Sequence, residues 1–175
     1  RVVRGEAKIV SVKGAEVVSE PTSNLLELVT TVSLPVVEAF SAKDHFLTDG
    51  KAPDGVKLSW TGDNFNMHFL NGKNGKCELD VPAAERRIHR LKKCLTDGPI
   101  IAELGGEQVV ETHLAHMWEM LKRQGQGQKG DLLVNGYANI FYIRASDGVL
   151  WAVRCYWDAF YGSWSVATGP IPHPR

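Results

Sequence analysis

The sequence predicts a single α+β domain over residues 1–175, with a mainly antiparallel β-sheet, two central amphipathic helices and a C-terminal three-stranded meander rich in aromatic residues. Three observations support this prediction. Residues 7–41 are rich in β-branched side chains separated by Gly and Pro. Residues 82–124 repeat apolar side chains at helical spacing. Residues 132–168 alternate aromatic and aliphatic side chains between turn residues.

The N-terminal segment contains runs typical of strands, separated by Gly14, Pro21 and Pro35. Strands are expected over residues 7–12, 15–19, 24–34 and 36–41. A short helix over residues 25–32 is the alternative, because Leu and Val there also fit helical spacing. The Asp-Gly pairs and the proline of residues 42–55 predict a polar loop.

A β-hairpin is predicted next, with strands over residues 56–60 and 64–70 joined by Thr61-Gly62-Asp63. In its second strand Phe65, Met67 and Phe69 alternate with polar residues, which is the period of a half-buried strand. A further strand is expected over residues 76–79, after two Asn-Gly turns.

Helical periodicity begins near Asp80 and Pro82, which favour a helix start. The first predicted helix spans residues 82–95, and its apolar stripe is Ala84, Ile88, Leu91 and Leu95. A short strand over residues 100–104 and a Gly-Gly turn follow. The second predicted helix spans residues 107–124, and its stripe is Val110, Leu114, Met117, Trp118 and Leu121.

Residues 124–130 (QGQGQKG) are predicted to be a flexible polar connector within the one domain. The meander after it has strands over residues 132–144, 149–157 and 163–168. Both faces of these strands are largely apolar, so we expect cover on both. The helices would cover one face, and the N-terminal strands or a partner the other. The last strand is expected to leave an open edge.

Composition excludes several classes of protein. With 43% hydrophobic and 23% charged residues the chain is not disordered, and a formal net charge of zero argues against steering by bulk charge toward nucleic acid or membrane. Its three cysteines contain no CxxC pair, which argues against a disulfide framework or a zinc finger. We therefore expect reduced thiols, a cytoplasmic location and no membrane association. No apolar run is long enough to span a bilayer.

The strongest metal-ligand pattern is His113 and His116, two imidazoles at i,i+3 on the second predicted helix. The order of residues is not HExxH, and spacing indicates no third ligand. His113 would flank the apolar stripe and His116 would point away from it into solvent. We therefore expect no metal and no cofactor, and these two histidines are retained only as weak metal candidates.

Two other sets of residues are candidate binding sites. Arg86, Arg90 and Lys93 would line one face of the first predicted helix, where they could contact phosphates. A solvated helical face is the alternative. In the meander Tyr142, Arg154, Tyr156 and Trp157 could stack on bases or sugars. A packed β-core with arginines extending to solvent has the same composition.

The sequence contains no G-x-S-x-G element and predicts no catalytic residue, so enzymatic activity is not expected. The first functional hypothesis is an interaction or structural module, whose aromatic sheet or sheet edge contacts a protein partner or a second copy of the chain. The alternative is nucleic-acid binding through the basic helix of residues 82–95. A further alternative is a small metal-dependent hydrolase that uses His113 and His116.

Overall fold

The computed structural model describes residues 7–12 and 24–172, and within them the fold is α+β with a mostly antiparallel sheet, as predicted. The strands are β1 (Lys8–Val12), β2 (Leu26–Leu34), β3 (Val37–Ser41), β4 (Leu58–Thr61), β5 (Cys77–Val81), β6 (Ala84–Leu91), β7 (Asn139–Arg144), β8 (Leu150–Asp158) and β9 (Ser163–Pro170). The helices are α1 (Ala42–His45), α2 (Asp63–Phe65), α3 (Asp97–Leu104), α4 (Glu107–Val110) and α5 (Leu114–Arg123). A π-helical turn (Asn66–Leu70) continues α2, and a 3₁₀ turn (Gly72–Asn74) follows it.

Within the described residues, seven strands form one sheet in the order β2-β6-β1-β7-β8-β9-β4, while β3 and β5 pair in a separate ribbon. The neighbours β1–β7 and β9–β4 are parallel, and the other pairs are antiparallel. Because β1 lies between β6 and β7, it joins the first half of the chain to the C-terminal meander in a single sheet.

Three of the predicted N-terminal strands are confirmed as β1, β2 and β3, and the alternative of a helix over residues 25–32 is wrong. The strand predicted over residues 15–19 lies outside the described residues. The expectation that these strands cover the face of the sheet opposite the helices is wrong, because Phe40 of β3 packs in the same core as Leu114 of helix α5. Strands β1 and β2 extend the sheet itself and so do not cover it.

The helix predicted over residues 82–95 is wrong, because residues 84–91 form the strand β6. This strand pairs with β1 on one side and β2 on the other, so Ile88 lies opposite both Val10 and Thr30. Both faces of β6 are buried, with Ile88 in one core and Leu91 in the other. Apolar residues on both faces of a central strand produced the spacing that resembled a helix.

The hairpin predicted over residues 56–70 is also wrong in its second half. Its first strand is β4, but residues 63–70 are helical, and β4 pairs in parallel with β9 instead. Phe65 and Phe69 are four residues apart and stack with ring centroids 5.2 Å apart, while Met67 is exposed. The strand expected over residues 76–79 is confirmed as β5.

The second predicted helix is broken into α4 and α5, and the strand predicted over residues 100–104 is part of helix α3. Between α4 and α5 the backbone N–H of Thr112 donates to the carbonyl of Tyr142 over 2.8 Å. Val110 packs in one core and Leu114 in the other, so residues 111–113 cross from one face of the sheet to the other.

The C-terminal meander is confirmed as β7, β8 and β9, although β7 begins at Asn139, later than predicted. The first hairpin closes through a hydrogen bond from the Ala145 N–H to the Val149 carbonyl over 2.9 Å, with Gly148 at φ +84°. The prediction that β9 leaves an open edge is wrong, since β4 occupies that side.

The predicted burial of both faces of the meander is confirmed. One face packs beneath α5, and we call this side the α5 core; its meander residues are Phe141, Ile143, Val153, Cys155, Trp164 and Val166. The other face packs beneath α3 and α4, and we call this side the α3 core; its meander residues are Ile140, Tyr142, Leu150 and Ala152.

The connector over residues 124–130 contains neither helix nor strand, but it is anchored through buried Gln124. Its side-chain amide donates to the Leu132 carbonyl over 3.1 Å and accepts from the Leu132 N–H over 2.8 Å. Gly127 lies so close to Trp157 that a Cβ would sit 2.2 Å from the indole. No helix in residues 7–12 and 24–172 has the length and apolarity needed to cross a membrane.

Candidate functional site

A buried carboxylate, Asp97, brings together two of the predicted binding residues in the α3 core. It is the first residue of α3 and is only 1% exposed. Its Oδ1 accepts a hydrogen bond from the Tyr142 hydroxyl over 2.9 Å, and its Oδ2 accepts one from Nη2 of Arg154 over 2.7 Å. Sequence reasoning identified Tyr142 and Arg154 but missed the residue that joins them.

The electrostatics of this network favour a structural role. Burial and then the charge of Asp97 raise the pKa of Tyr142 far above its usual range, so the phenol remains a hydrogen-bond donor. Arg154 neutralises Asp97 in the ion pair that both groups need when buried. The guanidinium of Arg154 packs directly against Gly169 of β9, where a Cβ would lie only 2.8 Å from Nη1.

The other two predicted meander residues are not part of this network. Tyr156 lies on the same face of β8 as Arg154 but is half-buried, toward the far end of the strand. Trp157 lies on the opposite face, where it meets Trp164 edge to face with ring centroids 5.5 Å apart. The structure therefore places Tyr142, Arg154 and Tyr156 on one face of the sheet and Trp157 on the other.

The basic stripe predicted for residues 82–95 loses its geometric basis, because a strand replaces the helix. Arg86 is buried. Arg90 is exposed, and its Nη2 donates to Glu27 on β2 over 2.6 Å. Lys93 is exposed and lies beyond the end of β6.

The N-terminus of α5 carries a second polar cluster, centred on buried Glu78 of β5. Its carboxylate accepts hydrogen bonds from the N–H groups of Leu114 and Ala115 over 3.0 and 2.8 Å. Lys76 and His113 lie 3.5 and 3.6 Å from Oε1. Burial raises the pKa of Glu78, but the hydrogen bonds from His113 and Ala115 and the charge of Lys76 outweigh it, so the net pKa is lowered.

His116 is buried in this cluster and not solvated, contrary to the prediction, whereas His113 is half-exposed. Because a carbonyl can only accept, Nε2 of His116 carries the proton that it donates to Pro35 over 3.1 Å. The unprotonated Nδ1 faces Nη2 of Arg86 at 3.5 Å. Burial lowers the pKa of His116 and keeps the ring neutral.

In this arrangement Nε2 of His116 is bonded to Pro35, and Nδ1 faces a guanidinium whose charge would repel a metal cation. The rings of His113 and His116 meet edge to face with centroids 5.7 Å apart. Of the carboxylates near them in sequence, Glu111 bonds to Arg144, and Glu119 bonds to Lys122. Among the described residues, no three His, Cys, Asp or Glu side chains come together as a metal site.

An exposed aromatic surface lies at the β4 end of the sheet, and sequence reasoning did not single out most of it. We define the β4 surface as Trp60, Tyr156, Phe160 and Tyr161. Trp60 is 52% exposed and aligns through Ser165 with Tyr156, so both lie on the same face of the sheet. Phe160 and Tyr161, in the β8–β9 turn, are 88% and 72% exposed.

The turn that carries these two rings has a defined conformation. Oδ1 of Asp158 accepts hydrogen bonds from the N–H groups of Phe160 and Tyr161 over 2.8 and 3.1 Å. The two rings meet edge to face with centroids 5.0 Å apart. A turn that is capped by a side chain in this way already holds its aromatic rings in a fixed position in solvent. Binding a partner would therefore cost little further conformational entropy.

Comparison of the chain with protein-family models, with curated proteins and with solved structures found no match.

Proposed function

We propose that this domain is a protein-interaction module that binds a second copy of the chain through the edge strand β4 and the β4 surface. The observation that carries the proposal is the uncharged edge strand β4, which exposes the large aromatic side chain of Trp60. A sheet edge presents unpaired backbone groups to which another strand can bond, and aromatic side chains beside it supply the apolar contact.

The two edges of the sheet differ in how they oppose such pairing. Both edge strands contain a register irregularity, between Leu28 and Thr30 in β2 and between Leu58 and Trp60 in β4. The β2 edge differs in carrying charge, through the ion pair between Glu27 and Arg90. Bulges and charges are common devices against edge-to-edge association. The sequence of β4, LSWT, contains no charge.

A second copy suits this edge because two-fold pairing places the same strand opposite itself, so that a residue at the symmetry axis faces its own copy. With charged residues in the strand, like charges would face and repel, and β4 contains none. The formal net charge of zero adds no long-range repulsion between copies. Trp and Tyr are also enriched at the centres of protein interfaces.

Sedimentation velocity from low to high micromolar concentration tests the proposal. We expect a concentration-dependent dimer for the wild type and a monomer for Trp60→Ser, since this change removes the aromatic anchor at the edge. Leu79→Ser is the matched control, because Leu79 is 73% exposed on the separate β3–β5 ribbon. A wild-type chain that stays monomeric throughout, or a Leu79 variant that loses the dimer equally, contradicts the proposal.

A cytoplasmic location belongs to the same proposal. It is supported by three free cysteines, of which Cys77 and Cys94 are exposed and Cys155 is buried. Exposed unpaired thiols suit a reducing compartment. Microscopy of the tagged chain in its native cells tests the location, and a signal outside the cytoplasm contradicts it.

A further inference from the structure

Arg86 is a buried cation without an acidic partner. It projects from β6 into the α5 core side of the sheet and is 6% exposed. Its Nε has no hydrogen-bond partner, and Nη2 has only a long contact of 3.5 Å with Nδ1 of His116. No carboxylate of residues 7–12 and 24–172 forms an ion pair with it, and burial lowers its pKa. Buried charges are normally paired, so this one requires an explanation.

The polar groups around Arg86 do not supply the missing negative charge. His116 is neutral, and His113 and Lys76 are neutral or positive. The one carboxylate of the cluster is Glu78, and its oxygens already accept from the N-terminus of α5 beside Lys76 and His113. The positive end of the ten-residue helix α5 adds to the excess of positive potential.

We propose that this cluster is a binding site for a small oxyanion, a phosphate or a carboxylate group, held by Nε and Nη2 of Arg86. These two nitrogens point their N–H groups in the same direction along one edge of the guanidinium, which matches two oxygens of one oxyanion. The orphaned Nε and the weakly engaged Nη2 are the two donors of that edge.

The solvent side of the site is marked by His113. Its side chain is 44% exposed, and its ring lies 5.7 Å from that of His116, which contacts Arg86. Pro35, whose carbonyl fixes the His116 tautomer, is exposed as well. His113 and Pro35 therefore mark the side from which an anion would approach the guanidinium, and salt would screen the charge of an anion bound at this buried position only weakly.

Thermal unfolding with added inorganic phosphate, at ionic strength matched with chloride, tests the site. A ligand that binds only the folded state lowers the unfolding equilibrium constant by a factor of 1 + [L]/Kd, which is about elevenfold at ten times Kd. We expect a saturable rise in Tm for the wild type and none for Arg86→Met. Arg90→Met is the matched control, because Arg90 lies on the same strand but is exposed and already bonded to Glu27. It should respond as the wild type does.

A parallel series with acetate distinguishes the sources of the anion. A response to phosphate alone indicates a phosphate group, and a response to acetate alone indicates a carboxylate. A ³¹P NMR titration of phosphate with wild-type protein gives a second readout, because bound phosphate broadens the line even if Arg86→Met does not fold.

Two outcomes overturn the proposal. In the first, neither anion stabilises the wild type, and a loss of stability in Glu16→Gln or Glu20→Gln would then assign the counter-charge to the chain itself. In the second, Arg86→Met responds to the anions as the wild type does, so that the effect arises elsewhere on the surface.

Discussion

Replacing Asp97 by Asn tests the buried network beneath α3. The substitution keeps the shape of the side chain but removes its charge. Arg154, only 3% exposed, then remains as a buried cation whose partner is neutral. Because a charge is strongly disfavoured away from water without an opposite charge nearby, we expect a large loss in the free energy of unfolding.

The magnitude follows from the burial of both partners. Removing one member of a buried ion pair costs about 3–5 kcal/mol. For a domain of this size each kcal/mol moves Tm by about 2–4 °C, so Asp97→Asn should lower Tm by roughly 6–20 °C. Tyr142→Phe removes only the hydroxyl that donates to Asp97, and it should cost about 1.5–3 kcal/mol. Removing both charges, with Asp97→Leu and Arg154→Met together, should cost less than the two single changes summed.

Urea unfolding followed by the fluorescence of the five tryptophans measures these differences. Arg90→Met is the control, since it removes an arginine from an exposed ion pair with Glu27 and should change stability little. A loss below about 1 kcal/mol for Asp97→Asn would be typical of a surface pair and would refute the reasoning. Strict additivity in the double variant would also refute it.

Two further predictions concern pH and packing. Since the pKa values of His116 and Glu78 are lower in the folded than in the unfolded state, their contribution to stability is present at neutral pH. It is lost as pH falls below 6.5 for His116 and below 4.5 for Glu78. The urea midpoint measured as a function of pH should depend less on pH just below 6.5 in His116→Gln, and less below 4.5 in Glu78→Gln. Variants whose midpoints follow the same pH profile as the wild type would contradict this prediction. Gly127→Ala places a Cβ against Trp157, whereas Gly136→Ala, the control, meets open space; both positions have positive φ, +71° and +86°. Gly127→Ala should therefore lower the free energy of unfolding by about 1–3 kcal/mol more than Gly136→Ala does. Equal losses in urea unfolding would contradict this prediction.

The sequence predicted the meander well because its signals are local. Alternation of side chains and the Gly at position 148 define strands and a turn that pair with their immediate neighbours. Strand β6 was predicted as a helix because its partners are distant in sequence. Its pairing with β1, in which Lys8 lies opposite Arg90 although the two are 82 residues apart in the chain, is not visible in a local window. Nothing local distinguishes a strand buried on both faces from an amphipathic helix.

The error at β6 also displaced the helix that follows it. The predicted helix over residues 82–95 ends immediately before Thr96, Asp97 and Pro99, yet these residues are the N-cap and first turn of α3. Gly105, at φ +108°, ends α3 as its left-handed C-terminal residue. The start and stop signals of α3 were therefore present in the sequence.

The candidate sites depend on contacts that spacing does not encode. Asp97 meets partners 45 and 57 residues later in the chain. Glu78 caps a helix that begins 36 residues after it. The exposure of Trp60 depends on β4 becoming the last strand of the sheet, which only the complete topology determines. The sequence shows which side chains have the chemistry to bind a ligand. Their burial and their partners depend on the order of the strands in the sheet.

The two buried arginines on opposite faces of the sheet show how environment decides between structural and binding roles. Arg154 in the α3 core has a carboxylate at 2.7 Å, so the fold itself neutralises its charge, and no ligand is required. Arg86 on the α5 side has a neutral imidazole at 3.5 Å and an Nε without a partner. Since the same side chain is equally costly to bury on either face, the unpaired one needs a counter-charge from outside the described chain. This difference makes Arg86, and not the aromatic meander around Arg154, the position where we expect a small ligand.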